Sequence, residues 1–146
     1  SIKAILKRRA ARMRYRYSGI GMIDKMTGTQ FEEYLSVYFR DLGYTVHSHS
    51  GGKGDKGADR ILTAPDGKRI CVQAKCWNKN VTFEAVQQVH TAKSLYNCDS
   101  AWIITNRYFT KQVKETAAQL GIELWDRQKL MSHMHVYRKQ KAQKTP

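Results

Sequence analysis

The stretch from residue 59 to residue 77, DRILTAPDGKRICVQAKCW, most narrows what this chain can become. Two apolar runs, DRILTA and KRICVQAKCW, are joined by Pro65, Asp66 and Gly67, a turn tripeptide that suits a hairpin. On both sides the apolar spacing changes to a helical period. TQFEEYLSVYFRDLG carries apolar residues at 31, 34, 35, 38, 39 and 42, with Gly43 placed to end the helix. TFEAVQQVHTAKSLY repeats the period through Val86, Val89, Ala92 and Leu95 or Tyr96. YTVHSH alternates as a strand, and AWIIT reads as a buried one. TKQVKETAAQLG is a helix that Thr110 caps and Gly121 closes, IELWD is a strand, and RQKLMSHMHVY is a last helix through Leu130, Met134 and Tyr137. The order α-β-β-β-α-β-α-β-α predicts an α/β domain, a mixed β-sheet flanked by helices.

Within that hairpin one strand has an anomalous face. Ile70, Val72 and Ala74 alternate as expected, but the other face carries Gln73 and Lys75. Residues i and i+2 share a face roughly 6.5 Å apart, so an amide and an ammonium converge beside the sheet. Asp59 opens the neighbouring strand, close to both. The triplet fits either a solvated strand face or a magnesium site, since magnesium takes oxygen ligands and needs few protein carboxylates when phosphate supplies the rest. A lysine beside such a site holds the attacking water and offsets charge at phosphorus. Glu32, at the edge of the first helix's apolar stripe, has two readings: a carboxylate reaching toward the sheet, or the end of a Thr29-x-x-Glu32 capping box.

The 146 residues make one domain with a net charge of +14. Residues 1–25 hold eight Lys/Arg against one acid, and residues 127–146 hold six against none. Such ends suit a polyanion, nucleic acid or an anionic membrane surface, or they are solvated termini that aid solubility. The expected division is a basic N-terminal extension over 1–25, the folded domain over 26–131 and a basic C-terminal tail over 132–146. Three cysteines, an odd number without CxxC spacing, point to a reducing, cytoplasmic setting rather than a disulfide framework or zinc knuckle. No apolar run approaches the ~20 residues that span a bilayer. The chain opens on Ser1 rather than Met; were a membrane segment to precede it, the arginines that follow would mark the cytoplasmic side.

Other polar features read more weakly. GGKGDKGAD lacks the G-K-[ST] ending of a phosphate-binding P-loop and precedes no helix. It leaves backbone room for DNA, with Lys53 and Lys56 near phosphates, while Asp55 suits a turn. Arg107, at a strand end, is a phosphate-contact candidate. His47 with His49 and His133 with His135 read as surface groups or weak phosphate contacts, and Trp77, Trp102 and Trp125 as core.

The series GTQFEEYL, LGYTV, GDKGADRIL, VQAKCW, VTFEAVQQV, WIITNRYFT and AAQLGIELWDRQKL resembles the catalytic domain of the Mrr-like restriction endonucleases, in the PD-(D/E)xK nuclease superfamily, over about residues 27–130. The resemblance implies an αβββαβ restriction-endonuclease-like core that cleaves DNA with Mg2+, Mn2+ being a possible substitute. It implies catalytic roles for Glu32, Asp59, Gln73 and Lys75, the first three also as metal ligands. The superfamily's usual acid two residues before the lysine is Gln73 here; its carbonyl offers a lone pair but no charge, which makes the carboxylates matter more. Duplex cutting implies a homodimer or higher assembly. The expectation is therefore a magnesium-dependent DNA endonuclease of restriction or defence. The alternative is a catalytically inactive nucleic-acid-binding module of the same fold, with membrane contact only through a segment outside this chain.

Overall fold

Thr27 begins the folded core by capping a helix: its hydroxyl accepts from Gln30 N at 3.1 Å, while the Gln30 side chain accepts from Thr27 N at 3.0 Å. This reciprocal box satisfies two amide groups that a helix start leaves open. It lies two residues before the expected Thr29-x-x-Glu32 box, so Glu32 stands inside the helix and is not its cap. The computed structural model describes residues 1–47 and 60–144.

Six helices and five strands run in the order α1 (Ile2–Arg16), α2 (Ile20–Ile23), α3 (Gly28–Asp41), β1 (Thr45–His47), β2 (Arg60–Thr63), β3 (Arg69–Lys75), α4 (Phe83–Leu95), β4 (Ser100–Thr105), α5 (Lys111–Leu120), β5 (Ile122–Trp125) and α6 (Arg127–Lys144) among the described residues. From α3 onward this is the order read from the sequence. The strands lie side by side in chain order. β1, β2 and β3 pair antiparallel, then β4 and β5 join parallel through the crossover helices α4 and α5. The expected caps of α5 are present: Thr110 accepts from Val113 N, and Gly121 takes the left-handed conformation, φ 71°, that a residue without Cβ adopts at no steric cost.

Each face of the sheet buries one cluster. On the α3 side Leu62, Ile70, Val72 and Ile104 meet Phe31, Leu35, Phe39 and Tyr38, together with Leu130, Met134 and Tyr137 of α6. On the other side Ile61, Cys71 and Ile103 meet Val86 and Val89 of α4 and Val113 and Ala117 of α5. Phe39 makes ring contacts to Tyr38, Tyr44, Trp102 and Trp125 within the first cluster. Full burial of such a side chain contributes about 1.5–3 kcal/mol.

The ends of the chain are helices docked on this core. The α6 helix runs unbroken through residue 131, the expected end of the folded domain. Both α1 and α6 converge on Asp41. It accepts from Arg16 Nε at 2.9 Å and Nη2 at 3.0 Å and from the Tyr137 hydroxyl, with Lys141 Nζ 3.7 Å away. No helix among the described residues is long and apolar enough to cross a membrane.

Candidate active site

The anomalous strand is β3, at the centre of the sheet. Alternation sends Ile70, Val72 and Ala74 toward α3, and Cys71, Gln73 and Lys75 toward α4. Gln73 is 3% exposed, so its amide is desolvated and needs partners. Its Nε2 donates to Gln88 Oε1 of α4 at 2.7 Å, and Gln88 Nε2 donates in turn to Glu84 Oε1 at 3.3 Å. The Gln73 Oε1 atom is buried and has no donor among the described residues. Two residues on, Lys75 lies with its Nζ 4.8 Å from the centroid of Trp77, whose ring also meets Lys79 Nζ at 5.1 Å.

Glu32 stands on the other side. Its Oε1 pairs with Arg60 Nη1 at 3.1 Å, while the same guanidinium reaches Glu33 at 3.3 Å and donates through Nε to Ser36 Oγ at 3.1 Å. Arg60 is the register partner of Val72 on the α3 face. The structure thus brings Gln73 and Lys75 to one face and sets Glu32 with Arg60 on the opposite one. Asp59, Asp55, Lys53, Lys56 and His49 lie outside the described residues.

Several side chains fix the end of β3, and their part was not visible in the sequence. The Thr105 hydroxyl donates to Lys75 O at 2.6 Å. Asn106 accepts from Trp77 N at 2.9 Å and donates to Asp24 at 2.9 Å. Asp24 takes both Nη atoms of Arg127, at 2.8 and 3.0 Å, and Arg127 also donates to Asn106 O. The Arg127 hydrogen bonds, against a smaller opposing effect of burial, hold the Asp24 carboxyl below the usual carboxylate range. The loop after α2, the start of α6 and the ends of β3 and β4 are thereby tied together. The signal in the sequence was slight: Asn106 and Arg127 follow the last residues of apolar runs, where polar side chains are ordinary.

Arg107 is half-buried beside this network, and its Nε has no partner among the described residues. His47 and His133 depart from expectation, while His135 does not. His47 meets Thr63 Oγ1 at 2.8 Å within the β1–β2 pair. His133 packs against Trp125, which makes it part of the core's edge rather than a phosphate contact, whereas His135 is exposed.

Divalent cations are what this fold class ordinarily uses, and the strand end offers one hard oxygen donor without a competing hydrogen bond, Gln73 Oε1. Among the described residues no three His, Cys, Asp or Glu side chains cluster for a metal. The Gln73 amide oxygen is a hard donor of the kind a divalent cation takes.

A mixed five-stranded sheet with helices on both faces and a polar pair at the end of its central strand defines a restriction-endonuclease-like domain. The family model Mrr_cat, restriction endonuclease, matches residues 23–134, and the chain belongs to that family. No curated protein is a significant match. Among solved structures, a protein of unknown function, AF1548, aligns with a TM-score of 0.54 at 16% identity, over 65% of this chain and 55% of that one. A repair endonuclease from Pyrococcus abyssi aligns at 0.51 and 13%, over 69% and 47%. An EndoMS–dsDNA complex aligns at 0.50 and 16%, over 69% and 45%. The chain spans about half the length of these structures, and at such identities the likeness is one of fold.

Proposed function

We propose that this chain is a magnesium-dependent endonuclease that hydrolyses DNA phosphodiester bonds in restriction or defence, with Asp59, Gln73 and Lys75 as its reacting site. The observation that carries the reading is the buried Gln73 carbonyl oxygen, left without a donor among the described residues, on the face that Lys75 shares. A buried acceptor without a partner costs about 1–3 kcal/mol, and a bound cation would offset that cost. In the sequence Asp59 directly precedes Arg60, the first residue of β2, whose partner in β3 is Val72.

When bound, the cation supplies charge to the phosphate oxygens. The chain supplies the rest. Lys75 donates hydrogen bonds to the attacking water and to a non-bridging oxygen; the water gives up its proton to solvent as the new phosphorus–oxygen bond forms, and the leaving oxygen takes a proton from solvent as its bond to phosphorus breaks. Gln73 and Asp59 would supply the protein oxygens that hold the cation. Glu32 acts from the far face: by fixing Arg60 it sets the start of β2, next in the chain to Asp59. Cutting both strands of a duplex needs two such sites, which we assign to a homodimer or higher assembly. DNA as the partner is supported by the family and by the DNA bound in the EndoMS structure.

Plasmid cleavage with Mg2+ or Mn2+, with EDTA, and with Asp59→Ala and Lys75→Ala tests this. The expected result is metal-dependent cutting, lowered by about 10²–10³ in each folded variant, at a rate that rises more than linearly with protein concentration. A parent that binds DNA but never cuts would instead make the chain a binding module of the same fold. Cutting that survives both substitutions would place the chemistry elsewhere.

A further inference from the structure

A glutamine has two amide orientations of nearly the same shape, and only one of them leaves Gln73's oxygen available to a cation. The hydrogen-bond chain on α4 selects between them. The Glu84 side-chain oxygen accepts at 3.3 Å, so Gln88 turns its NH2 toward it. Gln88 Oε1 then faces Gln73 and can only accept, so Gln73 must give its NH2 there. The Gln73 carbonyl is left without a partner among the described residues. We propose that Gln88, with Glu84 behind it, is a positioning residue that fixes the Gln73 amide with its oxygen presented to the metal. This rests on the metal site proposed above and deepens it.

The two links differ in strength. The inner one is short, at 2.7 Å, and half-buried; the outer one, at 3.3 Å, ends on an exposed carboxylate. Gln88 therefore carries most of the selection. A neutral ligand makes this matter more than it would for a carboxylate, whose two oxygens are equivalent. An amide turned the wrong way presents two N–H donors, which repel a cation outright. Groups that orient a metal ligand commonly matter about 10–100-fold in affinity.

The test separates orientation from charge. Gln88→Lys offers only donors, which draws the Gln73 carbonyl inward; Gln88→Glu offers only acceptors and keeps the native orientation. Exposed Gln87, the adjacent residue of α4, takes the same two substitutions as charge controls. Mn2+ affinity is measured by calorimetry and electron paramagnetic resonance, with and without a short DNA duplex. Gln73 side-chain NH2 exchange is followed by NMR, and thermal unfolding checks the fold. Gln88→Lys is expected to bind Mn2+ about tenfold or more weakly than Gln87→Lys and to lose protection of the Gln73 NH2. Gln88→Glu should bind no more weakly than Gln87→Glu and keep that protection. Equal weakening by lysine at either position, in a parent that binds Mn2+, overturns the positioning role alone. A parent that binds no Mn2+ overturns the metal site, and the role of Gln88 falls with it.

Discussion

His133 stacks face to face on Trp125, centroids 4.0 Å apart and planes 9° from parallel, with Nδ1 3.4 Å from the Tyr38 hydroxyl. Burial holds its imidazole below the ordinary value, Lys129 adds to that, and Glu123 opposes it. Because the folded value is the lower one, the unfolded chain takes up the proton first on acidification. The stability tied to neutral His133 is then complete above about pH 6.5 and lost as pH falls through the folded value. Between pH 8 and pH 5 the urea midpoint should fall further in the parent than in His133→Gln; equal falls would mean the ring is solvated. The sequence placed His133 and His135 on the last helix but did not separate their faces; two positions apart on a helix, they point in different directions. Gln73 was legible, since a polar residue in an alternating strand contradicts its surroundings locally. What fixes Gln73 was not legible, because Gln88 lies on the next helix. Nor was Arg60 as the partner of Glu32, 28 positions away.

At the scale of elements, apolar period carried the reading wherever an element buries one face. The α3 to β5 order follows from it, and so do the caps Thr110 and Gly121. The α1 helix gave no such signal, being exposed along most of its length. Its Ala, Leu, Lys, Arg and Met content, all strong helix formers, was the available clue. Asp41 ties it to the core, beside the contact of Tyr15 with Tyr34. Burial raises the Asp41 pKa, but hydrogen bonds from Arg16 and Tyr137 and the charges of Arg16 and Lys141 outweigh that and hold it below the usual range. Asp41→Ala removes the carboxylate that accepts from the Arg16 guanidinium and the Tyr137 hydroxyl. The expected loss is about 2–3 kcal/mol in urea unfolding, with α1 loosened and its amides exchanging faster. For the carboxylate itself, the depressed folded value places its contribution above the unfolded pKa and removes it as pH falls through the folded one. A loss within about 0.5 kcal/mol, as for ordinary surface positions, would mean that α1 is held by Tyr15 against Tyr34 instead.

For the whole molecule, the net charge of +14 is divided between charges the fold uses and charges it leaves on the surface. Arg16, Arg127 and Lys141 meet Asp41 or Asp24, Arg60 meets Glu32, and Arg138 reaches Ser18 O. Lys3, Lys7, Arg8, Arg9 and Arg12 are exposed along α1. Removing residues 1–25 would therefore do more than strip charge, because it takes away buried Ile23, the Asp24 anchor at the end of β3 and Arg16. Replacing the five exposed cations with glutamine separates the two effects. If α1 lies along the proposed DNA, every phosphate that is no longer neutralised lowers the slope of log affinity against log salt by about 0.9, a change of up to about 4–5 for the set. Unfolding free energy should stay near the parent's, since none of the five joins an ion pair among the described residues. Cutting at low salt should survive, because the reacting site is on β3. An unchanged slope would move the DNA to another surface, and Arg107 with Lys79 near the strand end would then be the cations to replace.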